Sequence, residues 1–136
     1  MEITCDWVKG PFRKLWSLYL CRMQICKRLE TQATSEEKQS FIKHLREETR
    51  IFLRDATQFD WLRGQNCLPI ASNFKNLHEI DKQLIETYDM FQQDTEWEVE
   101  HPELAKFLMR NLVRIRFSLP LINSLYFLPN YSIFSP

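Results

Sequence analysis

Apolar residues recur at steps of three and four along most of this chain, which is the period of an amphipathic α-helix. The chain has only two glycines, Gly10 and Gly64, which are too few for the tight turns of hairpin-rich β folds. The pattern therefore predicts an all-α fold, a bundle of three to four helices. We expect these helices over residues 11–29, 34–54, 70–91 and 102–119.

Residues that are favoured at the ends of helices mark the boundaries of the predicted helices. Pro11 and Pro102 suit the first turn of a helix, where no backbone donor is needed. Thr34 and Glu37 have the spacing of a capping box, in which each side chain satisfies a backbone donor of the other residue. Pro120 is expected to end the fourth helix. The sequence thus predicts one helical domain over residues 1–119.

Residues 120–136 are expected to form a separate apolar docking tail. From residue 117 to the last residue there is no charged side chain, but prolines and asparagines interrupt the run. A membrane span with such interruptions would leave backbone groups unsatisfied in lipid. The tail could fold over its own helices or lie in a groove on another subunit, and the sequence leaves both open. The side chains expected to dock are Leu125, Tyr126, Phe127, Tyr131 and Phe134.

Charge is segregated along the chain although the net charge is zero. Residues 9–28 contain six basic and no acidic residues, whereas residues 94–103 contain five acidic and no basic ones. The acidic stretch up to residue 100 is expected to be a connection between helices. Lys106, Arg110 and Arg114 recur at steps of four. This row is either a solvated helix face or a contact for an acidic protein or phosphate. A zero net charge argues against a domain-wide field for nucleic acid.

No pattern of catalytic or metal-binding residues is visible. Phosphate-cradling glycine loops and nucleophile, HExxH and CxxC motifs are missing. The four cysteines and three histidines lack the spacing of zinc ligands. We therefore expect no enzyme, no metal site, no intrinsic cofactor, and reduced, packed thiols in an intracellular compartment. A basic, apolar secretory signal is also not seen.

Three short segments carry a resemblance to a known family. They are "LWSLYLCRM" with Leu18 and Tyr19, "HLREETRIFL" with Arg46, and "WLRGQN" with Gly64. In this order and approximate spacing, over residues 12–77, they resemble the LYR-motif family of small mitochondrial helical proteins. Leu20 stands at the position of the motif arginine, and Thr49 stands where the family has phenylalanine.

The resemblance implies a LYR-like helical core that serves as an accessory or assembly subunit of a respiratory complex or the ATP synthase. It implies binding of the mitochondrial acyl carrier protein, whose acyl-phosphopantetheine would be the only cofactor, brought by the partner. It also implies location in the matrix or on the matrix side of the inner membrane, with membrane contact only through the host complex. We expect no nucleic acid. The side chains predicted to bind partners are Leu18, Tyr19, Arg22, Lys43, Arg46 and Arg50.

A different function is also compatible with the residues. Basic helix faces serve equally well in a non-mitochondrial helical adaptor that binds acidic partners or nucleic acid. Such an adaptor would show affinity that falls steeply with salt and would not purify with a carrier protein. A helical enzyme without a readable motif is a third reading, and a deep polar pocket with strongly shifted ionisable groups would reveal it.

Overall fold

The computed structural model describes residues 3–63 and 76–126, with side chains described for residues 7–62 and 76–123. These parts are helices and their connections, without a strand, so the all-α prediction is confirmed. The elements are α1 (Ile3–Gln32), α2 (Glu36–Asp55), a 3₁₀ turn (Ala56–Phe59), α3 (Asp60–Arg63), α4 (Leu77–Met90), α5 (Trp97–Glu100) and α6 (Pro102–Tyr126).

Helix α1 begins earlier than the position of Pro11 predicts. Pro11 lies inside the helix rather than in its first turn, where it cannot donate a backbone hydrogen bond to the preceding turn. The turn before it is nevertheless anchored, because Val8 is buried and Trp7 meets the ring of Phe91 edge to face at 6.4 Å. Apolar contacts thus outweigh the missing donor, and the predicted start at residue 11 is wrong.

Helix α2 follows the predicted range closely but has a different cap. Ser35, not Thr34, is the N-cap residue, and its hydroxyl accepts a hydrogen bond from the backbone N–H of Lys38 at 3.2 Å. Glu36 and Glu37 occupy the first turn, where they favour the positive end of the helix dipole. The helix ends at Asp55, one residue after the predicted end.

The third predicted helix corresponds to α4, which starts at Leu77. Its N-cap is Asn76, whose side chain accepts from the backbone N–H of Glu79 at 2.9 Å. Residues 70–75 of the prediction lie outside the described part of the chain. The segment expected to be only a connection contains α5, because the buried Trp97 donates its indole N–H to the carbonyl of Phe91 at 3.1 Å.

Helix α6 starts at Pro102 as predicted but continues through Pro120 to Tyr126. Ile122 is buried, and His78 on α4 donates a hydrogen bond to the amide oxygen of Asn123. These contacts hold the last turns against α4. The prediction that Pro120 ends the helix is therefore wrong, and residues 120–126 belong to the bundle. The side chains of the predicted docking residues lie outside the described residues.

Helix α1 lies at the centre of the arrangement. It packs against α2 on one side and α4 on another, and it also contacts α3 and α5, while α6 packs against α4. Aromatic rings fill the junction of α1, α2, the 3₁₀ turn and α6. The ring pairs there are Tyr19 on Phe52, Phe52 against Phe107, Phe59 against Phe107, and Phe12 against Phe59. The core thus lies between α1 and its neighbours.

Candidate functional site

A group of polar side chains lies in the interior between α1, α2 and α4. Arg22 of α1 is fully buried and donates to both carboxylate oxygens of Asp81 on α4, through Nε at 2.8 Å and Nη2 at 3.1 Å. Its Nη1 donates to the Thr49 hydroxyl at 2.7 Å and to the Leu45 carbonyl at 3.2 Å, both on α2. We call Arg22, Glu48, Thr49 and Asp81 the interior cluster.

The interior cluster contains one cation and two carboxylates. Burial opposes the charge on Arg22, but Asp81, Cys26 and Glu48 together more than offset it and raise the pKa of the guanidinium, which therefore stays charged. Glu48 is 3.7 Å from Arg22 Nη2, and its Oε1 is buried without a hydrogen bond. Burial raises the pKa of Glu48 above its ordinary value, and Arg22 only partly opposes this.

A pair of tyrosines extends the polar interior next to the cluster. The hydroxyls of Tyr19 on α1 and Tyr88 on α4 lie 2.7 Å apart and share a hydrogen bond. Burial raises the pKa of both phenols. The ring of Tyr19 stacks on Phe52 of α2, with centroids 3.6 Å apart. Tyr19 and Arg22 therefore both connect the central helix to α2 and α4.

The hydrogen bonds of the interior cluster connect three helices. Arg22 uses its donors on groups of the same chain, and a bidentate guanidinium–carboxylate pair fixes the angle between α1 and α4. Burial raises the pKa of the nearby Cys26 thiol to about 12, so it has little thiolate at neutral pH. Among the described residues no group of three potential metal ligands is found. The interior cluster thus holds helices together.

The six predicted partner-binding residues do not share one surface. Leu18, Tyr19 and Arg22 are buried in the core, so they present no surface to a partner in this conformation. Arg46 pairs with Glu30 of α1, at 2.8 Å from Nε to Oε2. The remaining two, Lys43 and Arg50, are exposed on α2. The prediction that these six residues bind partners is therefore corrected for Leu18, Tyr19 and Arg22, which are core residues.

The sequence did contain a signal for the buried charge. Arg22 stands in the row of α1 that also contains Leu15, Leu18, Ile25 and Leu29, at alternating steps of three and four. A single charged residue in an apolar row predicts a partner charge in the opposing row. On α4 that partner is Asp81, next to buried residues of its own helix. Because Arg22 was grouped with residues expected to bind a partner at the surface, its pairing with Asp81 was not predicted.

Helix α6 carries a second apolar row on the side away from the core. Met109, Val113, Phe117 and Leu121 recur every four residues and are 55%, 41%, 76% and 58% exposed. At 1.5 Å per residue they form a ridge about 18 Å long. Because the opposite side of α6 is already packed into the bundle, this ridge is not needed for the described core. We call it the outer ridge.

Basic side chains border the outer ridge. Arg110 and Arg116 lie three residues before and after Val113, which places them about 60° to either side of it around the helix. Lys106 is exposed, and its pairing with Glu103 at 3.6 Å involves two solvated groups. From residue 104 to the end of the sequence no acidic residue occurs. The outer ridge is therefore apolar along its centre and positive at both margins.

A shallow depression runs beside the outer ridge and gives it a partly concave side. Ala105, Met109 and Val113 supply its apolar part, and Lys106 and Arg110 supply part of its rim, with Arg114 next to them. Arg114 is half-buried and donates to the amide oxygen of Asn111 at 3.2 Å.

The basic row was predicted from the sequence, whereas the exposed apolar row beside it was missed. Its signal was the four-residue step in Met109, Val113, Phe117 and Leu121.

The outer ridge is the strongest candidate for a functional surface on the described residues. Within the described parts of the chain, no helix has the length and apolar character to cross a lipid bilayer. A scan against protein-family models, a search of curated proteins and a search of solved structures each returned no match to this chain.

Proposed function

We propose that this chain is a helical accessory or assembly subunit of a mitochondrial multiprotein complex, of the respiratory chain or the ATP synthase. It acts by binding other proteins and catalyses no reaction. The observation that carries this proposal is the outer ridge, an exposed apolar row on a helix whose other side is already buried. Contiguous apolar surface of this kind marks interaction sites in small proteins.

The interior supports a structural rather than a catalytic role for the buried ionisable groups. The Arg22 guanidinium is held by Asp81, Thr49 and Leu45 of its own chain. A general base or nucleophile needs access to a substrate and a pKa near the working pH. Tyr19 and Cys26, by contrast, are buried and have raised pKa values. These groups therefore support stability.

The margins of the outer ridge support an acidic partner. Lys106, Arg110 and Arg116 supply positive charge beside apolar side chains, and complementary charge raises both the association rate and the specificity of protein binding. An acyl carrier protein, with an acidic surface, is the partner that the LYR-like segments favour. In that case its acyl-phosphopantetheine comes with the carrier. The mitochondrial assignment rests on the same resemblance.

The runner-up function is a non-mitochondrial adaptor that binds acidic proteins or nucleic acid through basic helix faces. The apolar row between the bases argues against nucleic acid, because phosphate contacts need polar and cationic groups rather than methionine, valine and phenylalanine. Nucleic-acid binding would also show a steep loss of affinity with salt. Measuring how the affinity depends on salt concentration therefore distinguishes the protein-binding function from nucleic-acid binding.

The test is affinity capture from a mitochondrial extract with the full chain as bait. The baits are the wild type, Phe117→Glu on the outer ridge, and Val99→Glu as control, because Val99 is an apolar residue that is 85% exposed and lies outside the ridge. Intact-mass analysis identifies any acylated small acidic protein. We expect subunits of one complex, or that carrier, with the wild type and control but not with Phe117→Glu. Identical captures by all three baits, or none by any, would overturn the proposal.

A further inference from the structure

The spacing along the outer ridge restricts the shape of what can cover it. Side chains at steps of four form one continuous ridge, and such ridges pack into the grooves between side chains of another helix. Met109 to Leu121 spans about 18 Å, the length of a helix of about 12 residues. A partner helix lying along α6 would thus match the whole row.

The charge pattern restricts the chemistry of the occupant further. Positive side chains flank the row on both sides, with Arg110 and Arg116 at opposite margins and Lys106 near the first turn. Among the described residues no ion pair of Arg110 is found, and Arg116 reaches only one exposed carboxylate, Asp89, at 4.0 Å. Acidic residues along both sides of a partner helix would neutralise these margins.

Resting on the proposed function, we infer that the outer ridge seats a single amphipathic helix of a partner protein, with apolar residues along one face and acidic residues at both margins of that face. Methionine, phenylalanine and arginine, the types present in the ridge and its margins, are those enriched in protein interfaces. The basic margins supply register and specificity, and the apolar centre supplies affinity.

Two other occupants from this protein itself fit less well. A second copy seated ridge to ridge would bring basic margins against basic margins in either orientation, because Arg110 and Arg116 make both margins positive. Residues 127–136 of the same chain contain no acidic side chain, so they would leave the margins uncompensated. Only a partner with both apolar and negatively charged side chains can cover the apolar centre of the ridge and also neutralise its basic margins.

The test measures binding of the full chain to three labelled helical peptides by fluorescence anisotropy. The first peptide has leucines at helical spacing with glutamates at both margins, the second has lysines at the margins, and the third is a scramble of the first. We expect the acidic peptide to bind at least about tenfold more tightly than the other two. Phe117→Glu should weaken this binding by about 30-fold or more, as at a binding hot spot.

A charge reversal supplies the more specific readout. Lys106→Glu with Arg110→Glu and Arg116→Glu reverses the charge of both margins and should reverse the preference, so that the lysine-margin peptide binds better, while Val99→Glu should leave it unchanged. Equal binding of the scramble, no effect of the charge reversal, or binding only to vesicles of anionic phospholipid would overturn the inference. So would self-association that Phe117→Glu abolishes. If mitochondrial capture still depends on Phe117 in those cases, the proposed function stands and only the helical occupant is wrong.

Discussion

Replacing Arg22 with methionine should destabilise the fold more than any surface change. Methionine retains much of the aliphatic volume but removes the charge that Asp81 and Glu48 face in the interior. Breaking a buried ion pair by removing one partner costs about 3–5 kcal/mol. A domain of this size is stable by only about 5–15 kcal/mol. Arg22→Met should therefore lose a large part of the free energy of unfolding.

The assay is urea unfolding followed by far-ultraviolet circular dichroism. For a small domain the free energy of unfolding changes by about 1–3 kcal/mol per molar urea, so the midpoint should fall by about 1 M or more. The loss should be largest at pH 8 and smaller at pH 4. Burial raises the pKa of Asp81 and Glu48, and Arg22 opposes this shift. Without Arg22 the cost of keeping the two carboxyls charged therefore grows as the pH rises, and protonation relieves it towards pH 4.

A double-mutant cycle isolates the ion pair from general damage. Asp81→Leu alone leaves Arg22 charged and buried, and should cost as much as the arginine change. The combination of both changes should cost clearly less than their sum, by about 2 kcal/mol or more, because Arg22 and Asp81 are then both absent and only Glu48 has lost its cation. Strict additivity, or a loss below about 1 kcal/mol for Arg22→Met, would show that the interior cluster does not couple α1 to α4.

Three further changes test smaller features of the fold. Ser35→Ala should lower the free energy of unfolding in urea by about 1 kcal/mol through loss of the α2 cap, while Thr34→Ala should have little effect; the reverse order would restore the predicted cap. Tyr19→Phe should cost about 1–2 kcal/mol because the Tyr88 hydroxyl loses its partner, and adding Tyr88→Phe should recover part of this in the same assay. Glu48→Gln should raise the thermal midpoint at pH 8 but not at pH 4: a buried carboxyl with a raised pKa supports the fold below its ordinary pKa and loses that contribution as the pH rises through the raised value. A gain confined to low pH would contradict the direction of the Glu48 shift.

The helical period revealed the four long helices within residues 3–63 and 76–126, since it depends only on which residues are apolar. Their ends were less predictable where tertiary contacts decided them. Pro11 and Pro120 both read as helix boundaries by local preference, yet Val8 and Ile122 anchor the helix beyond each proline. Trp97 likewise converts part of an acidic connection into a short helix because its indole has a place in the core. Local sequence preferences do not decide the end of a helix where burial of apolar side chains contributes more to stability.

The sequence predicted the basic side chains of the candidate site but not its exposed apolar row. The basic row that includes Lys106 and Arg110 follows from spacing alone. Whether an apolar residue on α6 faces the core or the solvent depends on which side α4 occupies, and periodicity did not separate Met109 and Phe117 from the buried row. Arg22 shows the opposite case, since its charge suggested the surface and the fold placed it inside.

The bond between Arg22 and Asp81 also has a consequence for synthesis of the chain. The two residues are 59 positions apart, and a ribosome adds about 5–20 residues per second. The guanidinium therefore emerges about 3–12 s before Asp81. During that interval α1 and α2 can meet with only Glu48 of α2, 3.7 Å from Arg22, to offset the buried charge. The nascent hairpin of these two helices should thus stay loose, and open to chaperones, until α4 has been made.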